Sequence, residues 1–382
     1  MIDQCLTNGG RHNGGGIIMS IRRWGLTPAV IALFLLSVVA LVPVLAQQQA
    51  QKVDKKTEKA QQFDIQSVVG ATDAAMAGQN VADITMTFQN DALKAQEGKT
   101  FVPFTVSFDQ AQAPAGKTLT MFTRVVDKAM AAAAPPADAK KGKDDKSKNV
   151  HPEYVYQDVS FISLTPPASA TAPYRISRAF AVPAGEYDVY VTLKERLPVD
   201  AKDREKTPTK TGVIKQTIKV PNFWAEELTT STIIIAEKVE ALSAPLTQRE
   251  QIEQPYTMGT TQIVPAASDK FSKKGELSLV FLIYNTVFGA DKKPDVTVEY
   301  SFYQKVATEA NGEKFFNKTN PQVFSAKTLP PQFDPALGHQ LVAGQSLPLG
   351  SFPEGEFRLE IKVTDKLSGK TVTHNVKFFV TA

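Results

Sequence analysis

One eleven-residue pattern occurs twice in this chain, 170 residues apart, and it narrows the fold more than any other feature. Pro183-Ala-Gly185-Glu186-Tyr187-Asp-Val189-Tyr-Val191-Thr-Leu193 lines up without a gap on Pro353-Glu-Gly355-Glu356-Phe357-Arg-Leu359-Glu-Ile361-Lys-Val363. In each copy every second residue from the aromatic onward is apolar, the period of a strand with one face in a core. Tyr187, Val189, Val191 and Leu193 are expected to face one core, and Phe357, Leu359, Ile361 and Val363 another.

The repeat extends beyond these strands. Each copy runs into a turn and a further strand, Lys210 to Val220 in one case and Ser368 to Phe378 in the other. Upstream, Phe104–Asp109 precedes Thr118–Lys128 much as Leu279–Asn285 precedes Asp295–Lys305, and Thr118–Lys128 lies at an offset of 177 from Asp295–Lys305 because loop lengths differ. Same strand order with different loops implies two homologous units. Short alternating runs bounded by Gly, Pro, Asp and Asn predict strands near 82–88, 101–108, 118–126, 154–164, 174–181, 186–194 and 212–220 in the first. Those of the second are expected near 229–236, 260–264, 276–285, 295–304, 321–328, 346–350, 356–364 and 371–380. The fold class is therefore all-β: two tandem immunoglobulin-like β-sandwiches, 81–222 and 223–382, after a leader and a tail.

The leader is residues 1–46. Arg22-Arg23 precede an apolar run from Ala29 to Val42, and Val44-Leu45-Ala46 supplies small residues for a cut before Gln47, the pattern of a signal peptide. The run falls short of the ~20 residues a spanning helix needs, and Pro28 and Pro43 bracket it. Met19 is the expected start of translation. Residues 47–80, rich in Gln, Lys, Ala and Asp with little apolar periodicity, are expected to be a disordered polar tail. A disordered loop is expected at 131–150, where AAAAPPADAKKGKDDKSK carries nothing to anchor a core, and a shorter charged loop at 198–210.

Cys5, the only cysteine, precedes the apolar run, so an exported part holds neither disulfides nor Cys-ligated metal. Of 43 basic and 39 acidic side chains the leader holds three arginines and one aspartate, leaving 40 against 38. So even a balance gives no broad field for gripping nucleic acid.

Gly-Lys-Thr occurs at 98–100, 116–118 and 369–371, but the glycine that a phosphate loop needs five residues earlier is Leu93, Ala111 and Thr364, and a strand follows each time. His151, His339 and His374 are not clustered for zinc. His374, on a strand, is expected to point to solvent or across the sheet. No Ser stands in G-x-S-x-G or S-x-x-K, and the adjacent carboxylates Glu226-Glu227 and Asp144-Asp145 diverge on extended backbone. No catalytic, cofactor-binding or metal-binding residues are assigned, and the chain is read as a non-enzyme. Phe223 and Trp224, at the linker between the units, are the candidate interdomain or binding aromatics.

The P-x-G-x-[YF] opening at Pro183 and Pro353 resembles that of immunoglobulin-like and fibronectin-III-like domains of exported bacterial proteins. The stretch from Val220-Pro221-Asn222-Phe223 through Thr229–Ala236, Ile263-Val-Pro265 and Gly275–Asn285 resembles the sandwich region of secreted acidobacterial-type proteins that often also carry a GWxTD domain, over about 219–382; the GWxTD motif is absent here. The resemblance implies a sandwich fold and an exported compartment and adds little chemistry. The expected function is a periplasmic or secreted binding or scaffold protein of the bacterial envelope, its partner an unidentified protein or envelope polymer. Alternatives are a membrane-tethered accessory subunit of an envelope complex, or a carbohydrate-active hydrolase.

Overall fold

The computed structural model describes residues 54–133, 151–167, 169–307 and 312–382, so the expected leader and most of the expected loop at 131–150 lie outside the described residues. The first element corrects the sequence reading. Within the segment expected to be a disordered tail, residues Lys55–Met76 form a helix, α1. Its buried residues, Ala60, Asp64, Val68 and Thr72, fall every four positions and so make one stripe. Two of the four are polar, which is why apolar periodicity gave no sign of it.

The first unit continues with β1 (Met86–Asn90), β2 (Leu93–Lys94), β3 (Thr100–Phe108), β4 (Thr118–Asp127), a short helix α2 (Lys128–Ala133), β5 (Tyr154–Ser163), β6 (Tyr174–Val182), β7 (Gly185–Glu195) and β8 (Thr211–Val220). Strands β1, β3 and β6 form one sheet, with β2 also on β3, and β5-β4-β7-β8 form the other. Between them Val102, Phe104, Val106, Met121, Val125 and the predicted Tyr187, Val189, Val191 and Leu193 make the first core. Each such side chain contributes roughly 1.5–3 kcal/mol by leaving water.

The second unit holds β9 (Thr229–Thr230), β10 (Ile234–Ala241), α3 (Gln248–Glu253), β11 (Thr257–Met258), β12 (Thr261–Pro265), β13 (Lys270–Ser272), β14 (Glu276–Tyr284), β15 (Val296–Lys305), β16 (Glu313–Lys318), β17 (Gln322–Phe324), β18 (Leu341–Pro348), β19 (Gly355–Asp365) and β20 (Thr371–Thr381). One sheet runs β11-β12-β10-β14-β18 with β9 on β14, the other β13-β20-β19-β15-β16 with β17 on β15. Phe357, Leu359, Ile361 and Val363 are buried in the core between them, as their alternation predicts. The single strand expected at 229–236 breaks into β9 and β10 because Thr230 and Ser231 turn their hydroxyls onto neighbouring carbonyls, and Ser231 Oγ also takes the Leu282 N–H.

In both units the first, second and fifth of seven corresponding strands form one sheet and the fourth, third, sixth and seventh the other, the Greek-key order of immunoglobulin-class sandwiches. The pairing registers agree as well. Leu119 stands opposite Glu195 in one unit and Val296 opposite Asp365 in the other, the same 177 and 170 offsets found in the sequence. A slip of one residue would turn either core inside out, so the duplicated register follows from the duplicated alternation.

Helix α1 lies on the outer face of the first unit's β4-β7 layer. Asp64 accepts from Arg196 Nε (3.2 Å) and Arg204 Nη1 (3.1 Å), and Thr72 Oγ1 pairs with Thr192 Oγ1 at 2.6 Å. Arg124, itself buried, reaches Asp73 at 2.5 Å. Arg204 comes from the predicted charged loop at 198–210, which folds over to complete this contact and also hydrogen-bonds the carbonyls of Leu197 and Pro198.

Candidate functional site

Phe223 and Trp224 follow the end of β8 after Pro221 and Asn222 and take different roles. Phe223 is 2% exposed and packs with Ala92 of the first sandwich and Leu282 and Tyr284 of the second, its ring 5.2 Å from that of Tyr284. It is an interdomain contact. Trp224 stays 45% exposed beside it, donating its indole N–H to the Lys99 carbonyl of the β2–β3 turn at 3.0 Å.

Lys94 Nζ sits 4.5 Å over the Trp224 ring and donates to Asn285 Oδ1 at 3.0 Å, while its backbone N–H reaches the Tyr284 hydroxyl at 3.0 Å. Partial burial holds the Lys94 pKa below its ordinary value, and burial pushes Tyr284 up to about 12. Asn285 in turn donates Nδ2 to the carbonyls of Phe223, Ala225 and Glu227, at 3.1, 2.6 and 3.0 Å. Linker, first sandwich and second sandwich are thus tied by one side-chain network. Its Asn285 adopts a φ of 60°, an αL conformation that asparagine tolerates.

The loop that Asn285 opens carries Val287 and Phe288, 46% and 42% exposed. Its position is set by Asp365, a fully buried carboxylate at the end of β19. Asp365 Oδ2 accepts from the Val287 N–H (3.0 Å) and the Ser368 hydroxyl (2.7 Å), and Oδ1 from the Leu367 N–H (3.1 Å). One side chain therefore clamps the β14–β15 and β19–β20 loops together. Leu367 is also largely exposed. Among the described residues these apolar groups stay in water on well-bonded loops.

The corresponding connection of the first unit is different among the described residues. Its β3–β4 connection is Asp109-Gln-Ala-Gln-Ala-Pro-Ala-Gly-Lys117, where Gln110 is bonded to the carbonyls of Ser169 and Ala172. Sequence reasoning singled out Phe223 and Trp224 by type and position. It missed Asp365, Val287, Phe288 and Leu367, for an aspartate followed by Lys-Leu-Ser-Gly reads as an ordinary turn.

The other sequence candidates are scattered. All three Gly-Lys-Thr segments end a turn and enter β3, β4 and β20. His151 pairs with Glu153 at 2.9 Å and stacks on Tyr154, and His339 Nδ1 accepts the Asp334 N–H at 2.9 Å. His374 does not face solvent: it is half-buried, with Nε2 2.8 Å from the Thr230 hydroxyl on the opposite sheet, and burial lowers its pKa. Among the described residues no three His, Cys, Asp or Glu side chains converge as metal ligands, and no helix is long and apolar enough to cross a membrane.

No family model matches the chain. No curated protein matches it either. Among solved structures, a cryo-EM reconstruction of the native conformation of E. coli alpha-2-macroglobulin aligns with 78% of this chain and 16% of that one, at 14% identity and a TM-score of 0.19. That likeness carries no functional statement.

Proposed function

We propose that the protein is an exported, non-enzymatic binding or scaffold protein of the bacterial cell envelope, periplasmic or secreted, whose partner is a protein or an envelope polymer. The observation that carries this reading is the exposure of Val287, Phe288 and Leu367 on the two loops that Asp365 clamps together, and of Trp224 at the junction beside the Asn285 network. Exposed aromatics on a fixed backbone lose little entropy on binding, which suits them as anchors. The signal-peptide pattern supports export, and the resemblance to the sandwich region of exported acidobacterial-type proteins belongs to the same reading.

The test has two parts. N-terminal sequencing and intact mass of protein recovered from host fractions should give a start at Gln47 in the periplasm or medium; a retained leader in the membrane fraction points instead to the tethered accessory subunit. In cells, a photo-crosslinking residue at Phe288 should capture a partner while one at Glu299, on the ion-paired outer face of β15, should not. Equal capture at both positions, or none at Phe288, would reject the assignment of this surface.

A further inference from the structure

Asp91 sits in the turn between β1 and β2, where the first sandwich meets the second, and is only 7% exposed. Its N–H donates to the Pro103 carbonyl at 2.9 Å. The next residue, Ala92, donates its N–H to Thr232 Oγ1 at 2.9 Å and accepts the Thr232 N–H at 3.1 Å, so this turn is stitched directly to the second unit. Tyr256, also buried, comes across from the second unit and donates its hydroxyl to that same Pro103 carbonyl at 3.2 Å. The carboxyl group is thereby roofed by the other domain.

Among the described residues no charged group answers the carboxyl at this place. Asp91 Oδ2 is buried without a hydrogen bond among the described residues, although the Thr232 and Tyr256 hydroxyls approach the carboxyl group. On the elements packed around it, Arg175 of β6 is spent on the Pro265 carbonyl (2.7 Å) and Glu237 (3.5 Å). Arg178 of β6 is spent on the Ser177 carbonyl, with Glu253 of α3 acting on it from the second unit. Lys94 of β2 is spent on Asn285. The polar groups acting on it are the hydroxyls of Thr232 and Tyr256. An ionised carboxylate in such a setting loses its hydration and gains no counter-charge.

We propose that Asp91 is a proton-linked lock on the junction: its neutral side chain leaves the two sandwiches docked, and its ionisation loosens them. Burial raises the Asp91 pKa above the ordinary 3.8, outweighing the hydrogen bonds by which the Thr232 and Tyr256 hydroxyls favour the ionised form. The sign follows from linkage. A carboxyl whose docked pKa is raised holds its proton more tightly docked than open, so docking is strongest in acid, weakens as pH climbs from the ordinary carboxylate range to the raised value, and is constant above it. The junction would then respond to the acidity of the surrounding medium.

The reporter is built in, because the Trp224 indole on the linker is bonded to Lys99 of the first unit. In the full chain carrying Trp24→Phe, which leaves Trp224 as the single tryptophan, emission should shift to the red and solution scattering should show an expanding molecule as pH rises through the raised carboxyl value. Asp91→Asn, neutral at every pH and nearly the same shape, should stay at the acid-side signal throughout. An Asn variant that follows the wild-type curve, or a wild type with no transition, overturns the proposal. Should Asp91→Asn fail to fold, carbon-13 titration of the Asp91 carboxyl in the wild type decides: a midpoint at or below the ordinary carboxylate range overturns it.

Discussion

Tyr187 and Phe357 hold the same place in the two copies but are secured differently. Tyr187 donates its hydroxyl to the Pro183 carbonyl at 2.9 Å, a tyrosine corner at the entry to β7. Phe357 has no hydroxyl and instead stacks on Phe378, with centroids 5.4 Å apart. Tyr187→Phe should therefore cost the first unit about 1 kcal/mol, the net worth of one hydrogen bond, seen as a lower urea midpoint with unchanged slope. His374 offers a pH test in the second unit. Because burial lowers its pKa below the ordinary 6.5, the folded state binds its proton less readily than the unfolded chain does. The stability contributed by neutral His374 is complete above about 6.5 and falls away as pH drops through the lowered folded value. Urea midpoints measured from pH 7.5 to 5 should decline in the wild type, and His374→Gln should remove that share of the decline.

Among the elements, α1 shows how a helix can be specified without an apolar stripe. Asp64 is held between two guanidinium groups with its side chain nearly buried, and Thr72 is fixed by Val68 and Thr192. Asp64→Ala would leave Arg196 and Arg204 without their shared acceptor and should cost about 3–5 kcal/mol, detected as loss of amide-exchange protection confined to α1 and the loop at 198–210. Retained protection there would contradict this account of the docking. The strands were legible because alternation and turn residues are both local signals: β3, β5 and β15 fall within a residue of their expected limits. The helix was not, since the partners that make Asp64 and Thr72 buriable lie 120 or more residues away. The same holds for β16, whose Glu313-Lys-Phe-Phe-Asn-Lys318 is too charged to read as a strand until Arg358 is seen to bind Glu313. Of the candidate site, Phe223 and Trp224 announce themselves by type, whereas Asp91 and Asp365 look like turn residues until distant chain covers them.

At the scale of the whole molecule the two sandwiches communicate through Phe223. Phe223→Ala removes a buried ring shared by both units and should cost roughly 3–5 kcal/mol. Calorimetry should show the loss in the melting of both units, whereas Val189→Ala, wholly inside the first core, should shift the melting of that unit alone. Communication of this kind does not require the loops to match, and they do not. From the last paired residue of the third corresponding strand to the aromatic of the sixth, Asp127 to Tyr187 spans 60 positions and Gln304 to Phe357 spans 53, with both pairs directly opposite across their strands. The difference of seven residues has been taken up without moving a single cross-strand partner. The connections between β4 and β7, outside the strands β5 and β6, are accordingly the place to graft foreign sequence: an epitope or a fluorescent module inserted there enters a chain whose two copies already differ in length over that stretch while both cores keep their registry.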